Sequence, residues 1–407
     1  MLLRWWHERI RYKPYRPVVE ALLLMVCAVV GAIGQLLKAL WRWLCHYPAP
    51  PPLTLVPRRT ILCLRPDRIG DVVLLTPALM ALRACCPEAT ITLLTSDYVR
   101  PLIEHHPAVD EAVSVPGDRL VDFWRGRALL RTLRQQRFDM ILVFESVWSC
   151  ALLARWLGGM ARVGYDVQGV GWLFTHALRY PYRWQKTHQV RVDTRLVAAL
   201  GCPQAATPGA LHVPVSGAAS ERARTWLSQH GLNDGRPVFM VHPGSRARYT
   251  QWSSERFGAV ANWLIQTTGG HLLILCGRGE EPLVSRMQQA LSVAAHMIQG
   301  WSLTDVVGLM SYCALFLGNS TGTTHLASAV GPLTVMLIGG THPLDCPERW
   351  RPWGERHLAV HKSPREIIGR DTERWLGAEG LDHIQPQDVI AALRQPVERL
   401  MTSRTAS

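Results

Sequence analysis

A carboxylate, Asp71, follows a glycine in Leu64–Leu79 (LRPDRIGDVVLLTPAL). The apolar run before it reads as a strand, Gly70 permits a tight turn, and Asp71 falls at the start of the next helix. An acid at the mouth of a sheet can take a proton from a substrate hydroxyl. The same residue can equally cap its helix, and spacing alone does not separate the two roles. No G-x-G-x-x-G follows the strand, which argues against a nicotinamide-dependent oxidoreductase.

Two further clusters follow candidate strands. In His242–Ser254 (HPGSRARYTQWSS), a turn at Gly244 and Ser245 precedes Arg246 and Arg248. Main-chain N–H groups, a hydroxyl and two cations there suit an anion. In Gly318–Leu326 (GNSTGTTHL), Ser320, Thr321, Thr323 and Thr324 surround Gly322, and His325 lies just inside the next helix. Hydroxyls and free amides at a helix start suit a phosphate. Read singly, the first is an ordinary polar loop and the second a Ser/Thr cap with a core histidine.

The elements that must position these residues form two series. Thr60–Arg65, Thr90–Thr95, Ala112–Val115 and Met140–Phe144 are short apolar runs, alternating with helical patterns at Asp71–Cys85 and Val121–Gln135. The alternation restarts at Pro237–Val241, His271–Cys276, Leu315–Leu317 and Leu333–Ile338, with helices over Ser253–Thr267, Glu280–Leu291 and Gly322–Val330. Such alternation predicts an α/β fold of parallel sheets covered on both faces. The expected architecture is two doubly wound, Rossmann-like domains facing a cleft, with ligands at the strand C-termini. The boundaries fall at 58–202 and 221–355, joined by a linker at 203–220 rich in Pro, Gly, Ala and Ser, with a helical tail over 356–407.

Residues 1–57 differ in texture. Val18–Leu37 is a 20-residue run with one charge, flanked by tryptophans and basic residues, and a helix over about 18–40 is expected to anchor the chain in a membrane. A Pro-rich spacer follows. The chain carries a formal charge of +13, and more than half of that excess lies in residues 1–60, which hold nine basic and two acidic residues. This placement favours a membrane surface over nucleic acid as partner. The ten cysteines show no CxxC pair and no zinc spacing, and are expected to be reduced, buried thiols.

The motifs D-R-I-G-D-V at 67–72, H-P-G-S with W-S-S-E-R-F at 242–257, and S-T-G-T-T-H-L-A at 320–327 resemble those of the lipopolysaccharide heptosyltransferases, glycosyltransferase family 9. The continuations G-G-T-H-P at 339–343 and R-W-R-P-W-G at 349–354 fit the same pattern. The resemblance covers about residues 60–355 and implies the two-domain GT-B fold. It implies an inverting, metal-independent transfer of a sugar, heptose from ADP-heptose, to a lipid-linked saccharide at the cytoplasmic face of the bacterial inner membrane. No cofactor is implied, and the absence of a D-x-D triplet accords with that. Asp71 is then the general base, with Asp67, Arg68 and Gly70 on the acceptor side. Gly244, Ser245, Arg246, Arg248 and residues 320–325 lie on the donor side. The chain departs from the family at Thr250, where a lysine is common, and at Ser320, where an aspartate is common. These departures keep open a second reading, a non-catalytic, membrane-tethered binding protein. By analogy with such transferases, the terminal helix is expected to pack on the first domain.

Overall fold

A computed structural model of the 407-residue chain describes residues 29–37, 52–53, 56–117, 120–145, 147–167, 169–180, 187–246, 250–339, 346–363, 366–367 and 381–405. The first sheet contains β1 (Thr60–Leu64), β2 (Thr90–Ser96), β3 (Glu111–Val115), β4 (Met140–Val143), β5 (Ala161–Asp166) and β6 (His176–Arg179). All are parallel, in the order β3-β2-β1-β4-β5-β6. The second contains β7 (Val238–His242), β8 (His271–Cys276), β9 (His296–Gln299), β10 (Leu315–Asn319), β11 (Leu333–Leu337) and β12 (Leu358–Val360). Its order is β12-β11-β10-β7-β8-β9, again all parallel.

The two sheets therefore share one winding: chain order runs outward from a central strand, then restarts on its other side. In each, the reversal falls between the first and fourth strands, and the crevice it opens at their C-terminal ends is where doubly wound sheets bind ligands. The central strands are apolar along their length because both faces are covered. Leu62, Leu64, Ile141 and Val143 pack in one core. Phe239, Val241, Leu315 and Leu317 pack in the other.

The chain divides into two compact units. The first comprises 1–68, 78–182 and 193–208; the second comprises 69–77, 183–192 and 209–407. The first turns of helix Ile69–Cys85, with Asp71, thus group with the second sheet.

Several expectations change in detail. The strands β5, β6, β9 and β12 are too short or too polar to stand out in the sequence. The helical pattern Val121–Gln135 is two helices, Leu120–Arg125 and Arg127–Gln135, broken at Gly126. The segment expected as linker contains a short 3-10 helix at Pro203–Ala206 and the start of helix Gly217–Gln229.

The terminal helix Pro386–Thr405, expected on the first domain, belongs to the second unit. Val389, Leu393 and Val397 instead join the core of the second sheet, because Trp252 and Arg256 fasten the preceding turn. The Trp252 indole N–H donates to the Ile384 carbonyl at 2.9 Å, and Arg256 Nη1 donates to the Asp382 carbonyl at 2.7 Å.

The expectation of wholly reduced cysteines is corrected at one pair. Cys85 and Cys202 form a disulfide, their Cα atoms 5.5 Å apart. Helix Ile69–Cys85 ends beside the turn that carries Cys202, which brings two residues distant in sequence into bridging range. Cys63, Cys86, Cys276 and Cys313 are free and buried, and Cys150 and Cys346 are buried as well.

Of the expected anchor over about 18–40, only residues 29–37 are described, and these are helical. Among the described residues no helix is long and apolar enough to cross a membrane.

Candidate functional site

The site is built from the C-terminal ends of β7, β8 and β10 together with residues 69–71, all within the second unit. Helix Gly322–Val330 starts directly after β10. Its N-cap, Thr321, makes no side-chain capping bond. The hydroxyl that might have capped lies 3.3 Å from the Thr324 hydroxyl instead. Helix Ile69–Cys85 has Arg68 at its N-cap, also without a side-chain cap. Asp71 therefore does not occupy the capping position; it stands in the helix's first turn, half-buried.

These two helix starts touch. A Cβ built on Gly70 would lie 3.2 Å from the Gly322 Cα and 3.0 Å from the His325 ring. One built on Gly322 would lie 2.9 Å from the Gly70 nitrogen and 3.0 Å from the Ile69 Cβ. Only paired glycines allow this approach. Two positive helix-dipole ends brought together repel unless an anion lies between or beside them. Asp71 contributes one negative charge there, and N–H groups at helix starts are natural donors to phosphate oxygens.

Asn319, not singled out in the sequence, holds the neighbouring loops. Its side chain is fully buried. Its Nδ2 donates to the Pro243 carbonyl at 2.9 Å and to the Gly244 carbonyl at 3.3 Å, while the Trp252 N–H donates to its Oδ1 at 2.9 Å. The last residue of β10 thus ties down the loop leaving β7. The only hint in the sequence was its place between a strand and a Ser/Thr cluster, which names no partner.

Glu280 is the second residue missed. The His242 Nε2 donates to its Oε2 at 2.9 Å, and the Gly277 N–H donates to the same oxygen at 2.8 Å. Burial alone would raise this carboxyl, but the His242 hydrogen bond and charge, with the Gly277 N–H, hold it below its ordinary value. A Cβ on Gly244 would sit 2.0 Å from a Glu280 oxygen, so the turn closes over the carboxylate only because residue 244 has no side chain. In Rossmann-like halves, an acid beyond the second strand is the usual partner of a ribose hydroxyl.

The other expected residues divide by exposure. Ser320, Thr321 and Thr323 are half-buried at the helix start. Thr324 is fully buried and its hydroxyl donates to the Asn319 carbonyl at 2.6 Å, which serves the turn. His325 is buried; burial first, and then the charge of His188, lower its pKa to about 3, so its imidazole is neutral at pH 7. Ser245 shares a 2.6 Å hydrogen bond with Thr250, the position where a family lysine is common. Arg246 is exposed, and Arg248 lies outside the described residues. Asp67 is buried and accepts from the Arg68 N–H at 2.8 Å; Arg68 itself is exposed.

In the first sheet the equivalent reversal point holds a buried ionic cluster that the sequence did not signal. Arg65 Nη1 donates to the Phe144 carbonyl at 2.7 Å and lies 3.8 Å from Glu145 and 3.7 Å from Asp193.

Two parallel sheets of matching order, each doubly wound about a reversal point, define an α/β architecture of the GT-B kind. Solved structures share it. The structure of glycosyl transferase family 9 from Veillonella parvula matches with a TM-score of 0.74 at 20% identity, covering 84% of this chain and 98% of that one. The Escherichia coli ADP-heptose lps heptosyltransferase II matches with a TM-score of 0.66 at 21% identity, covering 84% and 99%. The lipopolysaccharide heptosyltransferase 3 of E. coli is 24% identical over 352 residues, 83% of this chain and 97% of that one. The family model described as glycosyltransferase family 9 (heptosyltransferase) matches residues 126–370. The chain belongs to this family and is a glycosyltransferase.

Proposed function

We propose that this chain transfers heptose from ADP-heptose to a lipopolysaccharide-type glycolipid, with inversion and without a metal ion, using Asp71 as general base. The observation that carries the reading is the contact of the Gly70 and Gly322 helix starts. Uncapped N–H groups of Gly322 and Thr323 suit the two phosphates of the donor, with Ser245, Arg246 and Arg248 in support. Glu280 suits the ribose hydroxyls. The names of the relatives supply the sugar, the nucleotide and the acceptor class.

In the proposed step, the Asp71 carboxylate takes the acceptor hydroxyl's proton as that oxygen attacks the anomeric carbon. The bond from this carbon to the diphosphate breaks on the opposite face, and ADP departs with the electron pair. Helix-start amides stabilise its growing charge without reorganising, the electrostatic contribution that ordinarily dominates such sites. The body works at the cytoplasmic face of the inner membrane, attached through its N-terminal segment. Supporting this, residues 29–37 turn Val29, Val30, Ile33, Leu36 and Leu37 outward.

The test is Asp71→Asn with ADP-heptose and a heptose-accepting glycolipid. Turnover should fall by roughly 10²–10⁴, the usual worth of a general base, with ADP affinity little changed and wild-type turnover intact in chelator. Turnover near wild type would remove Asp71 from the role. ADP binding with no turnover by the unaltered chain would favour the non-catalytic reading.

A further inference from the structure

The first unit carries a surface that the transfer chemistry does not use. Helices Arg127–Gln135 and Trp148–Leu157 border a concavity of about 890 Å³ lined by Arg131, Arg134, Arg137, Arg155, Trp156 and Met160, with no acidic residue among the described residues of its wall. None of these four guanidinium groups lies in an ion pair among the described residues. The neighbouring acid, Asp139, is turned away and accepts from the Arg59 and Thr60 N–H groups at 3.0 and 3.1 Å.

Trp156 and Met160 stand among these charges, and Trp124 lies on the preceding helix beside Arg127. Trp124 is 69% exposed and Met160 52%. Arg134 lies over the Trp156 ring at 4.8 Å, and Arg127 over the Trp124 ring at 5.7 Å. Helix Trp148–Leu157 buries Cys150, Ala151, Leu153, Ala154 and Leu157, yet its outer face offers Leu152 and Trp156, one turn apart, beside Arg155. A soluble helix presents polar residues on that side.

The surface continues. At the other end of this helix, Trp148 meets Trp172 edge-on at 6.3 Å. The Trp172 ring fills the space a side chain at Gly34 would need, and Gly169 fills that at Gly31. Residues 29–37 therefore dock on the body through glycines and turn their valine, isoleucine and leucine side chains outward, the reverse of an ordinary surface helix. The helix joining the aliphatic end to the basic end is about 15 Å long.

We propose that this face rests on a bilayer containing anionic phospholipids, the arginines taking headgroup phosphates and Trp124, Trp156 and Leu152 entering the interface. Interfacial tryptophan with arginine beside an aliphatic face is the chemistry of a membrane surface. Nucleic acid would leave the aliphatic end unmatched. A second copy paired through the same patch would set arginines against arginines. The arrangement also provides the second signal that durable attachment of a single apolar segment requires. The inference rests on the membrane part of the proposed function and not on the transfer chemistry.

Flotation of the full chain with vesicles of phosphatidylcholine, or of phosphatidylcholine mixed with phosphatidylglycerol, tests it. The wild type should prefer the anionic vesicles. The combined Arg131→Gln, Arg134→Gln and Arg155→Gln variant should lose that preference, by about fivefold per arginine, with its melting temperature and ADP affinity unchanged. Equal flotation of wild type on both vesicles, or an anionic preference retained by a folded triple variant, would overturn the proposal. So would sedimentation showing that the substitutions abolish a dimer and leave flotation intact. If the triple variant does not fold, Trp156→Ser with rising salt applies the same criterion. Failure of the N-terminal attachment alone reads differently: no binding to neutral vesicles, with the anionic preference kept.

Discussion

The main chain of Gly70 lies against Gly322, so close that a Cβ on Gly322 would sit 2.9 Å from the Gly70 nitrogen. Gly322→Ala must therefore push two helix starts apart. Main-chain atoms cannot step aside as a flexible side chain does, and overpacking of this kind costs about 1–3 kcal/mol. Urea titration should show that loss, and calorimetry should show weakened ADP binding; an alanine variant with unchanged affinity would mean that the contact does not shape the donor site.

Asn319→Ala removes three hydrogen bonds at once, leaving the Pro243 and Gly244 carbonyls and the Trp252 N–H without their partner. Each buried group so orphaned costs about 1–3 kcal/mol. The expected result is a loss of several kcal/mol in urea unfolding. Asn319→Asp restores only the acceptor for Trp252 and should recover only part of it.

Acid should destabilise the fold through three of its histidines, His188 and His325, which are buried, and His357, which is half-buried. Burial is the largest cause lowering His188 and His357 to about 4 and His325 to about 3, from an ordinary 6.5. The unfolded chain thus binds protons that the folded one refuses. The stability they confer is complete above pH 6.5 and is lost as pH falls toward 4, by up to about 1.4 kcal/mol per histidine per pH unit. His188 Nε2 donates to the Arg351 carbonyl at 2.9 Å. His188→Gln can keep a donor there without titrating, so its stability should fall less steeply with acid in pH-dependent urea titrations.

The Cys85–Cys202 bridge closes a long loop, with a sequence separation of 117. Reduction, or Cys202→Ser, should lower unfolding free energy by about 2–5 kcal/mol. Thiol titration under denaturant, before and after reductant, should show two additional thiols after reduction. A wild type whose thiol count and unfolding midpoint ignore reductant would show the pair unbridged in solution.

Most of the frame was legible in one dimension. Residues such as Ile61–Leu64 and Leu315–Leu317 are apolar throughout because both faces of their sheets are covered, and that imprint is local. Three motifs placed after strands were enough to locate Asp71, the turn at Gly244 and the helix start at Gly322. Strands β5, β6, β9 and β12 escaped because they are short or carry polar residues. Asn319 and Glu280 escaped because their importance lies in partners 67 to 76 residues away, or 36 to 38 residues away, that nothing nearby in sequence announces.

What the sequence by itself determined was the alternation of elements, the phosphate-suited loops and the family. Tertiary structure alone decided which pairs of residues meet: Gly70 with Gly322, His242 with Glu280, Cys85 with Cys202, and the terminal helix with the second core. The division has a physical cause. Hydrophobic period and turn chemistry act between near neighbours, while close approach and pairing arise only when the chain has closed its long loops.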